Sequence, residues 1–402
     1  MEPWDETALR DILPELVAIR RRIHRHPEIG FEEFATARLV AEKLRAWGLT
    51  VAAGIGGTGV VGTLNGRYPG DDAIGLRADM DALYIEERTG LPYASAHPGK
   101  MHACGHDGHT AMLLGAAYTL ARRPDFAGTA HFIFQPAEEG LGGAPAMLND
   151  GLLARFPCRS LFGLHNKPGI PLGDFAIRAG AMLCASDVWK VVFHGTGGHG
   201  GSGAHLSIDP TLPAAQFITA LQSVVSRNVP AMDAAVLSVG HLCGGNGDAP
   251  NVIPDRVTVQ GTGRSFSPAV RELMAERLKA LARHCAECFG ARAEASYDRQ
   301  YPPLVNHPEM TQRAIKAAVR TAGAAGRVND AMTPLLGAED FAYMLEQRPG
   351  AFMMVGNGAG ANEHPLHTPR YDFNDALIPI GVRYWVTLVR QELTPISHQT
   401  GK

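Results

Sequence analysis

The stretch Ile74-Gly-Leu-Arg-Ala-Asp-Met-Asp81 combines a short apolar strand pattern with two carboxylates at its end. Downstream of it, apolar periodicity predicts a helix over 110–120 and a further strand over 130–134. Strands that alternate with helices indicate an α/β sheet covered by helices on both faces. Because such sheets usually place their functional groups where strands end, we expect Asp79 and Asp81 to lie at a site.

The middle of the chain has a different order of elements. From Met182 onward the patterns predict β-α-β-β-α-β, at Asp187–His194, Pro210–Asn228, Ala235–Leu242, Arg256–Arg264, Pro268–Cys288 and Ala291–Tyr297. This order is ferredoxin-like. We therefore predict an α/β protein of two domains. A mixed-sheet catalytic domain comprises residues 1–181 and 299–402, and a ferredoxin-like α+β domain is inserted at 182–298.

A loop rich in metal-binding side chains precedes the helix predicted at 110–120. It has the sequence His102-Ala-Cys-Gly-His-Asp-Gly-His109. Cys104 and His106 are its strongest pair, because thiolate and imidazole together suit zinc and its first-row neighbours. A single loop rarely completes a metal site, so we expect further ligands from other segments.

Three other segments offer such ligands at the ends of apolar runs. Glu138 and Glu139 follow the strand predicted at 130–134, His165 closes Leu161-Phe-Gly-Leu, and His367 lies far downstream. Adjacent carboxylates at a strand end point in different directions, so one can bind a metal while the other serves as a base. Taken singly, a histidine is more often packed or solvated, and the paired glutamates could be a solvated pair.

These segments resemble the M20 metallopeptidase family, in the amidohydrolase branch that includes N-acyl-amino-acid amidohydrolases, hippurate hydrolases and auxin-conjugate hydrolases. Further blocks occur in the same order, at Arg22–Gly30, Leu76–Leu83, Gly195–His199, Asn251–Asp255 and Gly337–Phe341. The resemblance implies metal-dependent cleavage of N-acyl amino acids into a carboxylic acid and a free amino acid. Hippurate-like conjugates are the leading substrates that it suggests.

The resemblance also implies a role for each candidate residue. Glu138 is expected to be the general base. Five residues are expected to bind two divalent ions, of Mn, Zn, Co or Ni: Cys104, His106, Glu139, His165 and His367. His199, in a glycine-rich loop, is expected to stabilise the oxyanion of a neighbouring active site. A flexible turn with an incidental histidine is the alternative.

Three further residues have less specific expectations. Asn251 and Arg264 are expected to bind substrate, because arginine suits a carboxylate; exposure of Arg264 on a lid strand is the alternative. Most M20 peptidases carry His-x-Asp where this chain has Asp79-Met-Asp81. Asp81 is expected to orient a ligand histidine from outside the metal shell, with turn or helix capping as the alternative for both aspartates.

Composition excludes several other classes of protein. A net charge of −3 over 402 residues gives no basic field for nucleic acid or anionic lipid. No apolar run reaches the ~18 residues of a membrane span. Six cysteines are too few for a disulfide scaffold of this size, and the acidic N-terminus lacks a signal-peptide pattern. We therefore expect a cytoplasmic protein. The resemblance implies a homodimer or dimer-based oligomer whose other partner is a small-molecule substrate.

Two alternative functions remain at this point. One is a dipeptidase or carboxypeptidase of the same fold, against which the Cys104 loop argues because it marks the amidohydrolase branch. The other is a metal-bearing binding protein that has lost catalysis. The intact Glu138 argues against that alternative, since a degenerate site has no need to keep a base beside Glu139.

Overall fold

The computed structural model describes residues 6–323, 326–360 and 364–395. Contacts divide the chain into two compact units. The first contains the chain up to Gly180, then Val305–Thr333 and the chain from Asp340 on; the second contains Ala181–Leu304 and Pro334–Glu339. The short segment 334–339 was not assigned to the insertion by the sequence patterns. The assignment of 182–298 as a dimerisation or lid domain stays a prediction.

Helices and strands are numbered here in chain order. Up to residue 183 they are α1 (Thr7–Arg25), α2 (Phe34–Ala46), β1 (Thr50–Ile55), β2 (Gly59–Asn65), β3 (Tyr68–Asp79), α3 (His106–Arg122), β4 (Ala127–Gln135), α4 (Gly143–Asn149), α5 (Leu152–Arg155), β5 (Ser160–Pro168), β6 (Phe175–Ala176) and β7 (Gly180–Leu183).

The remaining elements complete both units. They are β8 (Ala185–His194), β9 (Gly198–His199), α6 (Thr211–Ser223), β10 (Ala235–Gly244), β11 (Val252–Ile253), β12 (Arg256–Ser265), α7 (Pro268–Cys288), β13 (Arg292–Tyr301), β14 (Leu304–Asn306), α8 (Pro308–Ala322), β15 (Val328–Asn329), α9 (Phe341–Gln347), β16 (Gly350–Gly358) and α10 (Ile378–Glu392).

The first unit is built on a mixed sheet with the order β1-β2-β4-β3-β5-β16-β6-β15 within the described residues. Its centre, β4-β3-β5-β16, is parallel, and β1, β2 and β4 pair antiparallel at one side. The helix α3 contacts both α1 and α10 and is buried around most of its circumference. It also packs against the sheet, chiefly against β3, so both helices and strands cover it.

The helix α3 begins at His106, four residues before the start predicted at 110. Gly105 precedes it with φ of 95°, a left-handed conformation that glycine adopts without steric cost. A Cβ at this position would lie 2.5 Å from Asn166 Oδ1, so a close approach also requires glycine here. As a result, His106 lies in the first helical turn, and the prediction that it lies in the loop was wrong.

The second unit has a four-stranded sheet in the order β10-β12-β8-β13, and each neighbouring pair is antiparallel. This is the ferredoxin-like arrangement, so the predicted fold class is confirmed. Its core combines Trp189 and Phe193 from β8, Phe217 from α6 and Leu278 from α7. Among the described residues of the whole chain, none of the helices has both the length and the apolarity to traverse a bilayer.

Candidate metal centre

The candidate ligands of the first unit lie together at the carboxyl ends of neighbouring parallel strands. β3 ends at Asp79, β4 leads into Glu138 and Glu139, and His165 lies near the end of β5. The first turn of α3 adds His106 at the same edge. Parallel strands finish on one side of a sheet, so side chains that are distant in sequence share one pocket there.

Cys104 is the central member of this group. Its Sγ lies 3.5 Å from His165 Nε2 and 3.3 Å from His367 Nε2. Glu139 Oε1 lies 3.2 Å from His367 Nε2 and 3.9 Å from His106 Nε2. All five predicted ligands thus present a sulfur, nitrogen or oxygen atom toward one another.

Overlapping sets of these atoms are compact enough to hold metal ions. The atoms of Cys104, His106 and His165 lie within 4.8 Å of one another, and so do those of Cys104, Glu139 and His367. Glu138 forms a third such set with His106 and Glu139. Cys104 therefore belongs to two of these sets.

Two buried atoms in this group make no hydrogen bond of good geometry with the described residues. They are His106 Nε2 and Glu139 Oε1, which face each other at 3.9 Å, and the second of them also has the ionic contact with His367. A buried polar atom without a partner costs about 1–3 kcal/mol, and such atoms in native proteins call for a specific explanation. A cation bound between the imidazole nitrogen and the carboxylate oxygen satisfies both, so the donor set fits a metal.

The electrostatics of Cys104 support the same fit. Burial raises the pKa of the thiol well above its ordinary value of 9.0, and Glu139, Glu138 and Asp79 raise it further by charge repulsion. A thiolate in this pocket therefore requires a compensating positive charge. A divalent ion bound here would supply that charge.

The two buried histidines differ in protonation. Burial, reinforced by His109, holds the pKa of His165 well below 6.5, so its ring is neutral. His165 Nδ1 donates to the backbone oxygen of Asn166 at 2.7 Å, which leaves a lone pair on Nε2 toward Cys104. Burial lowers the pKa of His106, but Asp79 and the other acidic neighbours outweigh it and raise the pKa to about 10. The protonated His106 ring thus gives these acidic side chains the positive charge that a bound metal ion would otherwise provide.

Asp81 contacts both a candidate ligand ring and the backbone of the turn that follows β4. Its Oδ1 lies 3.1 Å from His106 Nδ1, and its Oδ2 accepts the backbone N–H of Glu139 at 2.9 Å. One carboxylate therefore contacts a ligand ring and the turn that carries another ligand. This is the arrangement by which groups outside a metal shell orient the ligands inside it.

The Asp79 carboxylate is paired with two side chains, those of Arg77 and His109. Its carboxylate lies 2.6 Å from Arg77 Nη1 and 2.6 Å from His109 Nδ1. Burial raises the pKa of Asp79, but the positive charges of His106, Arg77 and His109 outweigh it and hold the pKa well below 3.8. Arg77, which pairs with this carboxylate, lies within the Leu76–Leu83 motif but was not predicted as a site residue.

His367 reaches the group through a strained backbone. Its φ is 61°, a left-handed conformation that costs a residue with a side chain roughly 1–2 kcal/mol. Its N–H donates to the backbone oxygen of Ala103 at 2.8 Å, which fixes it beside Cys104. Strain of this kind clusters at functional sites. With its side chain 51% exposed, His367 lies at the solvent side of the group.

The other three predicted site residues belong to the second unit. His199 is exposed in β9, and its Nδ1 accepts the backbone N–H groups of Gly201 and Ser202 at 3.0 and 3.2 Å. Asn251 is exposed, and its backbone oxygen accepts the N–H of Gly200. Arg264 is half-buried on β12 and donates to the backbone oxygen of Gly263 at 2.8 Å. The functional roles of these residues stay predictions.

The pattern of peptidase family M20/M25/M40 matches residues 75–391. The chain belongs to this family. It is 40% identical over 384 residues to the hippurate hydrolase of Campylobacter jejuni, covering 95% of this chain and 98% of that protein. The predicted amidohydrolase branch is confirmed, and the chain is a metal-dependent amidohydrolase.

Two further matches show the breadth of the family. Thermostable carboxypeptidase 1 of Saccharolobus solfataricus is 37% identical over 380 residues, covering 93% of this chain and 94% of its own. The crystal structure of Bacillus subtilis YXEP, described as a dinuclear metal binding peptidase from the M20 family, superposes with a TM-score of 0.83. It is 32% identical, covering 96% of this chain and 100% of YXEP.

Proposed function

We propose that this protein hydrolyses the amide bond of N-acyl amino acids, with hippurate-like conjugates as leading substrates, and that it uses two divalent ions. The observation that carries the proposal is the position of Glu138. Its carboxylate lies within 4.8 Å of ligand atoms of His106 and Glu139, directly beside the atoms assigned to the metals. A general base has to be within reach of the water that the metal activates.

Cys104, His106, Glu139, His165 and His367 would hold the two ions. The compact sets among them are Cys104 with His106 and His165, and Cys104 with Glu139 and His367. When bound, the ions lower the pKa of water and polarise the scissile carbonyl. Sulfur, imidazole and carboxylate ligands suit Mn, Zn, Co and Ni, and they do not choose among these metals.

Glu138 is proposed to move the proton. Its carboxylate takes a proton from the attacking water and delivers it to the leaving nitrogen, so that the amino acid departs as an amine. Glu138 is only 6% exposed, which keeps bulk water from competing for this proton. The backbone N–H of Asp340 lies 3.4 Å from its Oε1 and helps to orient it.

The second unit is proposed to supply an oxyanion donor and contacts to the amino-acid part of the substrate. His199 Nδ1 accepts two backbone N–H groups, which leaves the ring proton on Nε2, where a donor to an oxyanion is required. We propose that it acts in the site of a second subunit of a homodimer. Asn251 and Arg264 are proposed to bind the substrate, the latter at its carboxylate.

The alternative with a specific observation in its favour is a carboxypeptidase or dipeptidase, because thermostable carboxypeptidase 1 is 37% identical to this chain. A panel of benzoyl-glycine and other acyl-glycines, acetyl-amino acids and dipeptides distinguishes the two. We expect kcat/KM for the best acyl-amino acid to exceed that for any dipeptide by at least about tenfold. The reverse order would establish the peptidase alternative.

The test of the mechanism combines metal removal with one substitution. Chelation is expected to abolish hydrolysis, and Mn, Co or Zn is expected to restore it. The Glu138→Gln variant is expected to bind as much metal as the wild type and to lose roughly 10²–10⁴-fold in kcat. The control is Glu32→Gln, at an exposed glutamate. A wild type that binds metal but cleaves nothing in the panel would instead favour the degenerate binding protein.

A further inference from the structure

The turn that carries Glu138 contains a backbone conformation that needs external support. Ala137, the residue before Glu138, has φ of 54°, in the left-handed region. Its N–H and its carbonyl are both used: the N–H donates to Glu33 Oε1 at 2.8 Å, and the carbonyl accepts the N–H of Gly143 at 3.0 Å. Such a conformation costs an alanine roughly 1–2 kcal/mol and persists only when its surroundings impose it.

Glu33 is well placed to impose it. The residue has no exposed surface, and its other oxygen, Oε2, accepts the hydroxyl of Thr58 at 2.5 Å. Both carboxylate oxygens therefore have partners from two different segments of the first unit. A buried side chain with hydrogen bonds on both of its oxygens is fixed in direction, whichever protonation state it has.

The local structure around Glu33 explains why its side chain is available for this contact. Glu33 precedes α2, a position at which side chains commonly cap the helix. Here Glu28 does so instead, accepting the N–H groups of Ala35 and Thr36 at 2.9 and 2.8 Å. Phe31 has φ of 65° and turns the chain between the two glutamates. The side chain of Glu33 can therefore extend away from the helix toward Ala137.

The segment before Glu33 is also attached to the site. Ala82 donates its N–H to the backbone oxygen of Glu28 at 2.8 Å, directly after Asp81. At Gly30, a Cβ would lie 2.9 Å from Ala137 Cα, so the two backbones can approach only because residue 30 is glycine. The position of Glu33 is thus set against the same strand end that supplies Asp81.

Two buried carboxylates consequently hold the turn on either side of Glu138. Glu33 binds the N–H of Ala137 before it, and Asp81 binds the N–H of Glu139 after it. We infer that Glu33 is a positioning residue for the general base: it holds the strained Ala137 turn so that the Glu138 carboxylate faces the site of the attacking water. This inference rests on the function proposed above. It assigns Glu33 no contact with substrate or metal.

Substitutions of Glu33 test the inference. Glu33→Ala leaves the Ala137 N–H buried without an acceptor, and we expect kcat to fall on the order of 10²-fold, the loss that a displacement near 1 Å can cause. KM and bound metal per folded protein are expected to stay within about twofold, because no ligand is removed. Glu33→Gln keeps an acceptor for Ala137 and a partner for Thr58, so its kcat should remain within about threefold. Glu32→Ala, at the exposed neighbour, is the matched control.

A second substitution separates positioning from general destabilisation. Glycine adopts a φ near 54° without strain, so Ala137→Gly should need Glu33 less. We expect the double variant Glu33→Ala with Ala137→Gly to recover about tenfold in kcat over Glu33→Ala alone. The inference is overturned if the loss of kcat in Glu33→Ala is only proportional to the loss of folded protein or of bound metal, and the double variant does not recover it. If Glu33→Ala does not fold, Thr58→Val carries the test, with an expected fall of about fivefold in kcat and an unchanged kcat counting against it.

A structural measurement distinguishes failure of this inference from failure of the proposed function. If the wild type hydrolyses no N-acyl amino acid, the proposed function fails, whatever Glu33 does. The crystal structures of the metal-loaded wild type and of Glu33→Ala, or of Thr58→Val if the first does not fold, then decide the inference. Residue 137 should leave the left-handed region or Glu138 should change direction in the variant. An unchanged turn would overturn the role of Glu33, even for an active enzyme.

Discussion

The metal centre of the first unit and the predicted substrate-binding residues of the second unit differ in how much local structure supports them. Cys104, His106 and His165 are buried and contact one another or fixed carboxylates. His199 is exposed on a short two-stranded ribbon, and Asn251 is exposed directly before the second strand of that ribbon. The His199 ring accepts hydrogen bonds from the backbone of its own loop. A preformed metal site requires ligands held before the metal arrives, whereas a residue that acts on a substrate or partner needs only to be presented.

This difference predicts the largest effect for the shared ligand. Cys104→Ala removes the sulfur that belongs to two metal sets, so we expect loss of most bound metal and a fall of at least about 10³-fold in kcat/KM. Metal content by elemental analysis and release of the amino acid measure the two effects. Cys158→Ala, at a buried cysteine outside these metal sets, is the control. Full metal occupancy in Cys104→Ala would remove the distinction between the two regions.

The next largest effect is expected on stability, from the buried ion pairs of Arg20 beside the metal centre. Arg20 is buried and lies 2.8 Å from Asp107, directly after His106, and 2.6 Å from Asp372 on the segment that follows His367. Arg20→Ala leaves the buried Asp107 without its guanidinium, which is expected to lower the free energy of unfolding by about 3–5 kcal/mol. Urea denaturation measures it.

The neighbouring arginine provides a matched control for that result. Arg21 pairs with Asp375 at 2.8 Å, but its side chain is 46% exposed. Exposed ion pairs typically contribute about 0–1 kcal/mol, so Arg21→Ala should be close to wild type in the same denaturation experiment. Equal losses for the two variants would show that burial does not distinguish this cluster from an ordinary surface pair.

The second unit predicts an effect on turnover without an effect on metal. His199→Ala is expected to reduce kcat about 10²-fold while metal content and stability stay unchanged, because the side chain is exposed. His205→Ala, at another exposed histidine of the same unit, is the control. Loss of metal in His199→Ala would show that His199, like Cys104, is needed to bind metal.

Mixing variants tests whether His199 acts in a second subunit. With Glu138→Gln and His199→Ala subunits mixed equally and allowed to exchange, half of the dimers are heterodimers, and each has one site with both groups intact. Activity should therefore rise to about one quarter of that of the wild type, as expected for a two-fold symmetric dimer. Exchange demonstrated by tagged subunits with no such rise would contradict the action in trans.

The two regions also differ in what the sequence could predict. The sheet, the ferredoxin-like order and the ligand segments follow from local periodicity and from residues at strand ends. The start of α3 at His106 depends on the left-handed Gly105, and the Arg20–Asp372 contact joins residues 352 positions apart. Neither the membership of 334–339 in the second unit nor the partner of Glu33 has a local pattern. Tertiary pairing of polar groups, which periodicity does not encode, accounts for what was missed.

The smallest effect is expected for Arg264, and it distinguishes substrate binding from a structural role of this residue. Its Nη1 donates to the backbone oxygen of Gly263 at 2.8 Å and lies 3.5 Å from that of Asp187, while the other guanidinium nitrogens are proposed to bind a substrate carboxylate. If it binds substrate, Arg264→Ala should raise KM about tenfold and leave kcat and the urea midpoint nearly unchanged, since uniform binding is lost. Arg256→Ala, at the exposed start of β12, should change none of these quantities. A lower urea midpoint with an unchanged KM would instead make Arg264 a structural residue of the sheet, and substrate recognition would then have to be sought at Asn251.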